Sequence, residues 1–250
     1  EESDCLADEQ PLKLVDSARE AQHLFTGQLA DQFAGFLVHD LGDHAVRGVV
    51  DFEPQADGGG LEHVDQFVDG AAVARVGTLP FAALSAAGDM VSITTIDEGA
   101  VCTAMLDLYQ NEGIIAEPAG AMATTVLADL DITPGSTVVA VVSGGNNDVS
   151  RYAEIVERAL IHEGRKHYFL VDFPQEPGAL RRFLDEVLGP DDDIAYFEYV
   201  KRSNRETGPA LVGLELGHPR DLLPLLARME TSPLTIERVD PGSPLFRFIG

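Results

Sequence analysis

The sequence predicts an α/β protein made of two successive folded parts, and three observations carry that prediction. Helix-like and strand-like apolar patterns alternate between residues 61 and 164. The run Thr137-Val138-Val139-Ala140-Val141-Val142 is apolar on both faces, as expected of a parallel strand covered by helices, and leads directly into Ser143-Gly144-Gly145. From residue 165 the rhythm changes to strand, helix, two strands, helix, strand.

Three stretches follow from this, residues 1–60, 61–164 and 165–250. The first is acidic: 14 acids and three bases lie within residues 1–64, with four of the seven histidines, His23, His39, His44 and His63. Leu14, Ala18, Ala21, Phe25 and Leu29 recur at helical spacing, with Gly27 interrupting, and residues 51–60 read as loop. The histidine spacings of 16, 5 and 19 match no ligand template, so no metal is expected. In the second stretch Asp97 can cap a helix in which Val101, Met105, Leu108 and Tyr109 share a face, with Asn111 and Gly113 as its stop. Ile114-Ile115-Ala116 reads as a short strand. Pro118 suits the first turn of a helix through about Leu130, Pro134-Gly135 makes a turn, and a helix runs from about Val149 to Glu163 with Gly164 as its cap. In the third stretch strands are expected over 167–173, 193–200, 210–216 and 234–239. One helix opens at Pro177-Gly178 with Leu180, Phe183, Leu184, Val187 and Leu188 inward, and another spans 219–230 with Leu222, Leu225, Leu226 and Met229 inward. The order is that of a split ferredoxin-like unit.

Composition excludes several functions. With 42 acidic and 17 basic side chains in 250 residues the formal charge is −25, opposite to what a nucleic-acid binder shows. The nearest basic group, Lys201, Arg202 and Arg205, sits among acids and reads as a solvated turn. Two cysteines make neither a disulfide framework nor a zinc site, and Cys102 reads as a buried thiol. No apolar run reaches 18 residues and no signal peptide opens the chain, so a cytoplasmic protein is expected, without a membrane partner. Glu1 in place of methionine suggests a fragment or a processed form.

Four places are weighed as candidates for chemistry. Ser143-Gly144-Gly145-Asn146-Asn147-Asp148 ends a buried strand, where open α/β sheets bind ligands, and two glycines allow close approach. A plain helix-opening turn with asparagine caps explains the same residues. Glu117-Pro118-Ala119-Gly120-Ala121 places an acid before a helix, as a ligand contact or only as a cap. Gly58-Gly59-Gly60 has no strand leading closely into it and reads as a loop. Pro177, Gly178, Ala179 and Leu180 either line a ligand site or form a turn.

Taken together these motifs resemble one family. Phe67-Val68-Asp69-Gly70-Ala71-Ala72-Val73, Glu98-Gly99-Ala100-Val101-Cys102, Met105-Leu106-Asp107-Leu108-Tyr109, Glu117-Pro118-Ala119-Gly120-Ala121 and Ser143-Gly144-Gly145-Asn146-Asn147-Asp148 occur in this order in biosynthetic threonine dehydratases. So do Lys166-His167-Tyr168-Phe169, Pro177-Gly178-Ala179-Leu180, Leu188-Gly189-Pro190-Asp191-Asp192-Asp193-Ile194 and Gly208-Pro209-Ala210-Leu211-Val212-Gly213. The likeness covers about residues 61–250.

The resemblance implies the C-terminal part of a pyridoxal-phosphate (fold type II) catalytic domain over 61–164 and an ACT-like regulatory domain over 165–250. It implies a lyase that removes water and ammonia from L-threonine to give 2-oxobutanoate, in isoleucine biosynthesis, with isoleucine feedback at Pro177, Gly178, Ala179 and Leu180. Ser143 falls on the serine that bonds the pyridine nitrogen, Gly144 and Glu117 fall beside the cofactor, and a homo-oligomer is implied. One departure bears on activity. The family's serine-aromatic-lysine motif is not found in residues 1–60, and Gly58-Gly59-Gly60 is too close to Phe67 to be its phosphate loop. Of three lysines, Lys13 has no such setting, and Lys166 and Lys201 belong to the regulatory part. No other side chain replaces a Schiff-base lysine. The sequence therefore names no catalytic residue and predicts a chain inactive alone. The alternatives are an amino-acid-sensing module and a partner of a complementary catalytic chain.

Overall fold

The computed structural model describes residues 36–39, 45–50, 67–72, 78–87, 91–201, 205–246 and 249. The helix expected over 14–29, His23, His44, His63 and Gly58-Gly59-Gly60 lie outside them.

Two mixed α/β units follow one another, each with its own core and four-stranded sheet. In the first, β1 (Phe36–His39) and β2 (Ala45–Val50) form an antiparallel pair. After α1 (Thr78–Ala87), strand β3 (Val91–Thr95) adds parallel to β2, giving the order β3-β2-β1-β4. Strand β4 (Val138–Ala140) pairs antiparallel with β1, Leu37 opposite Ala140. The parallel strand expected over 137–142 is therefore corrected in length and direction. Apolar patterning measures burial, and the identity of the neighbouring strand settles direction.

Helix α2 (Glu98–Glu112) is capped as expected: the Asp97 carboxylate accepts from the N–H groups of Gly99 and Ala100, and Gly113 closes the other end. Val101, Cys102, Met105 and Leu108 are buried. Tyr109 is 50% exposed and turns its ring edge to Tyr152, so the inward face stops one residue earlier than expected. The strand expected over 114–116 is not formed. Its polar groups are taken elsewhere: Ile114 N–H bonds the Leu108 carbonyl, and the Ala116 carbonyl accepts from Asn147. Helix α3 (Pro118–Thr125) starts at proline and ends in a 3-10 turn over Val126–Asp129, shorter than the helix expected to Leu130. Its Pro118-Ala119-Gly120-Ala121-Met122-Ala123 run is wholly buried. Helix α4 (Tyr152–His162) buries Ile155 and Ala159 against α2.

The second unit is a closed layer pair. Strand β5 (Lys166–Pro174), α5 (Ala179–Glu186), β6 (Asp193–Tyr199), β7 (Thr207–Glu215), α6 (Leu222–Thr231) and β8 (Thr235–Arg238) follow the expected order. Every pair in the sheet β6-β7-β5-β8 is antiparallel. Phe169, Val171 and Phe173 of β5 alternate toward the helices and meet Phe183, Val187, Val212, Leu214 and Leu225. The face of α5 is corrected by the structure. Ala179, Phe183 and Val187 are buried, whereas Leu180 and Leu184 are each 40% exposed. Helix α5 sets residues four apart on the sheet and leaves Leu180 and Leu184 one side-chain row around.

Candidate functional site

The first candidate lies where α3 begins and β4 runs out. The loop over 143–147 is laced to the α3 start by backbone bonds: Glu117 N–H donates to the Gly144 carbonyl at 2.9 Å and Ser143 N–H to the Gly120 carbonyl at 3.3 Å. Asn147 Nδ2 completes the lacing, donating to the Ala116 carbonyl at 3.0 Å. Two glycines make this packing possible. A Cβ on Gly120 would meet the Ser143 carbonyl oxygen at 1.4 Å, and one on Gly144, at φ +68°, would meet Glu117 Oε1 at 2.1 Å. Gly70 closes on the same place, its Cβ position lying 3.0 Å from Ala119 Cβ and 3.5 Å from Glu117 Oε1. Thus Gly70, Glu117, Ser143 and Gly144, far apart in sequence, converge, with Ser143 exposed and Glu117 half-buried.

Phe67 anchors the floor. Its ring is met by the guanidinium groups of Arg151, 4.9 Å from the ring centre, and Arg158, 4.3 Å away. Arg151 Nη2 also donates to the Phe67 carbonyl at 2.7 Å, and Arg158 pairs with Glu98 and Glu154. The chemistry available is a hydroxyl and a carboxylate beside a tightly crossed backbone. Neither described lysine reaches it: Lys166 is paired with Glu157, and Lys201 lines a different cavity. Among the described residues the group therefore offers a hydroxyl and a carboxylate and no amine. Among the described residues no group of three His, Cys, Asp or Glu could hold a metal ion. Cys102 is fully buried, and burial pushes its thiol up to about 12, so it is no nucleophile.

The second candidate is a cavity of ≈ 650 Å³ at the β5–α5 turn, in which Pro177, Gly178, Ala179 and Leu180 all take part. Gly178 at φ +88° lets the chain reverse from β5 into α5. Leu180, Leu184, Phe173, Phe197 and Tyr199 supply apolar wall, while Glu176, Asp185, Arg181 and Lys201 stand around it. Phe173 holds the wall together, with ring edges against Phe183 at 5.4 Å and against Phe197 and Tyr199 at 6.2 Å each. The sequence reading of this site missed Phe197, Tyr199 and Lys201. The alternation Phe197-Glu198-Tyr199 on one strand was a usable signal, since residues two apart share a face.

Between the units, the Tyr168 hydroxyl donates to Glu157 Oε1 at 2.6 Å, and Lys166 pairs with the same carboxylate. Burial raises the Tyr168 phenol well above its ordinary range, and the Glu157 hydrogen bond adds to this. His167, 7% exposed, lies 2.9 Å from the Gly164 carbonyl through Nε2 and 3.0 Å from Arg238 Nη2 through Nδ1.

Residues 157–249 match the family described as the C-terminal regulatory domain of threonine dehydratase. Over 189 residues the chain is 72% identical to "L-threonine dehydratase biosynthetic IlvA" of Mycobacterium tuberculosis (strain ATCC 25618 / H37Rv), covering 76% of this chain and 44% of that relative. It is 58% identical to the protein of the same name from Corynebacterium glutamicum over 189 residues (76% and 43%), and 50% identical to that of Bacillus subtilis over 191 residues (76% and 44%). The chain thus spans less than half the length of these relatives. Among solved structures, the processed form of threonine deaminase isoform 2 from Solanum lycopersicum is 26% identical at a TM-score of 0.38, covering 45% of this chain and 36% of that one.

Proposed function

We propose that this chain, whose residues 157–249 carry the C-terminal regulatory domain of the threonine dehydratase family, is the effector-binding part of such an enzyme joined to the C-terminal part of its catalytic domain. Residues 165–250 are then a ferredoxin-like, ACT-like regulatory domain, and 61–164 belong to a pyridoxal-phosphate fold of type II. The observation that carries this reading is the cavity at the β5–α5 turn. Leu180, Leu184, Phe173 and Phe197 form a pocket for a branched aliphatic side chain, and the acids and bases around it suit an ammonium and a carboxylate. Isoleucine meets those requirements.

The cofactor fits only in part. When bound, pyridoxal phosphate supplies an electron sink for elimination at the β-carbon of L-threonine. Ser143 would offer its hydroxyl to the pyridine nitrogen, and glycine at 120 and 144 lets the backbone beside it cross closely. The described residues provide no lysine beside Ser143, so they do not hold the group covalently, and no catalytic step is assigned to them. Deamination of L-threonine to 2-oxobutanoate is proposed for the complete enzyme, in the cytoplasm and as a homo-oligomer. Among the described residues no helix is long and apolar enough to cross a membrane.

A second reading, a partner for a chain carrying the lysine, is favoured by one observation. Ile115 and Val149, which flank the Ser143 loop, are 54% and 79% exposed.

Thermal unfolding of the full chain with L-isoleucine tests the first reading. The melting temperature should rise with ligand, and Leu184→Arg should lessen the rise. A rise that Leu184→Arg leaves unchanged, or no rise at millimolar L-isoleucine, refutes effector binding at this cavity.

A further inference from the structure

Strand β6 serves two faces of its sheet. Phe197 and Tyr199 line the cavity at the β5–α5 turn. Tyr196 lies on the opposite face, since side chains alternate along a strand. There it meets the Tyr168 ring of β5 edge-on, with centroids 6.2 Å apart, although β7 runs between the two strands. Gly213 of β7 permits that contact. It stands opposite Tyr168 on one side and Tyr196 on the other. A Cβ on it would lie 2.7 Å from the Tyr168 ring and 2.8 Å from Tyr196 Cβ. Strand β6 is an edge strand, and its register with β7 shifts between Ile194 and Tyr196, so its position is set on one side only.

Tyr168 leads out of the sheet. Its ring is buried and is held by the edge of Phe246 at 5.6 Å, and its hydroxyl donates to Glu157 Oε1 on α4 at 2.6 Å. Lys166 holds the other oxygen of the same carboxylate. Only residues 163–165 separate α4 from β5, and backbone bonds pin them: Gly164 N–H to the Ile161 carbonyl, Arg165 N–H to the Leu160 carbonyl, and Leu216 N–H to the Arg165 carbonyl. A restraint on Tyr168 is thus passed to α4 and not taken up by a slack linker. Arg158, next to Glu157 on α4, pairs with Glu98 and lies over the Phe67 ring, the floor of the Ser143 group. His162 Nδ1, at the end of α4, lies 3.0 Å from Asp97 Oδ1, the cap of α2.

From these contacts we infer that Tyr168 and Glu157 are positioning residues, whose hydroxyl–carboxylate bond carries the occupancy of the β5–α5 cavity to α4 and so to the floor of the Ser143 group. The inference rests on the effector reading of that cavity. A ligand packed on Phe197 and Tyr199 fixes β6, and Tyr196 is fixed with it. The two tyrosine rings fix each other over Gly213, and the Tyr168 hydroxyl then holds Glu157 and its helix. Burial keeps the phenol protonated, so it remains a donor. By linkage, whatever steadies α4 also raises affinity at the cavity.

Amide hydrogen exchange of the full chain, with and without L-isoleucine, tests this beside calorimetric titration. Ligand should slow exchange over the second half of α4 about fivefold or more. Tyr168→Phe and Glu157→Ala should each remove most of that slowing while heat of binding persists. Tyr196→Phe keeps the ring edge and loses only the bond to Glu198, so it should leave the slowing in place. A purely structural role for Tyr168 would change exchange equally with and without ligand. Binding that leaves α4 exchange unchanged in the unmodified chain overturns this inference while the effector reading stands. So does slowing that is undiminished in either Tyr168→Phe or Glu157→Ala, or a loss as large in Tyr196→Phe. No heat at millimolar L-isoleucine overturns both.

Discussion

The two units bury comparable apolar cores by different means. The second does so with a sheet and two helices contributed by one continuous stretch, and its large side chains interdigitate: Phe169, Phe173, Phe183, Leu214 and Leu225. The first uses small residues. Helix α3 is buried along Pro118–Ala123, and glycine carries the closest backbone crossing. Close backbone packing of this kind tolerates no added atom, whereas side-chain packing loses energy in proportion to what is removed. The first unit also leaves Ile115 and Val149 exposed at its candidate site. The lesson is that one part packs by interlocking side chains within a continuous stretch, while the other packs by close backbone crossings between distant segments.

Four experiments can break or sharpen that contrast. The largest effect is expected from Gly120→Ala, whose Cβ would sit 1.4 Å from the Ser143 carbonyl oxygen. It should cost about 4–5 kcal/mol or more, in the class of buried backbone clashes. In urea unfolding followed by hydrogen exchange, protection should vanish over α2–α4 and persist over β5–β8. Loss in both parts would show that the second unit does not stand alone. Next comes Phe183→Ala, which removes a 1% exposed ring from the second core and should cost about 3–5 kcal/mol. It should leave α2–α4 protected.

Tyr168→Phe addresses the joint between the units. The variant keeps the ring against Phe246 and Tyr196 and loses only the bond to Glu157. About 1 kcal/mol should be lost, since Lys166 still satisfies the carboxylate. If the units are energetically independent, a two-phase denaturation curve should shift in its second phase alone.

The smallest effect concerns pH. Burial holds the His167 imidazole below its ordinary 6.5, the Gly164 carbonyl opposes that shift, and Arg238 reinforces it. The folded state therefore refuses a proton that the unfolded chain accepts. Stability from this source is complete above about pH 6.5 and is lost as pH falls from there through the depressed folded value. His167→Gln should flatten that slope in urea midpoints measured between pH 7 and 5. An unchanged slope would place the titration elsewhere.

Much of this was legible from residues alone, for reasons that differ by element. Helix α2 was readable because Asp97 and Gly113 are local stop signals, and a cap needs only its own backbone. The β-α-β-β-α-β order was readable because each element carries its own period. The outward turn of Leu180 and Leu184 was not, because leucine at helical spacing fits two adjacent rows and only the sheet decides which is covered. The strand expected at Ile114-Ile115-Ala116 failed for a similar reason. Apolar residues favour extension, but a ladder needs a neighbour, and here the Leu108 carbonyl and Asn147 took the polar groups instead.

By itself the sequence determined the elements of the second unit, the net charge of −25 and the small number of lysines. These are local or additive properties, fixed by the residues wherever they fold. Tertiary structure decided the direction of β4, the convergence of Gly70, Glu117 and Ser143, and the cavity at the β5–α5 turn. Each of those depends on which distant segment arrives alongside, and no periodicity within a segment encodes its neighbour.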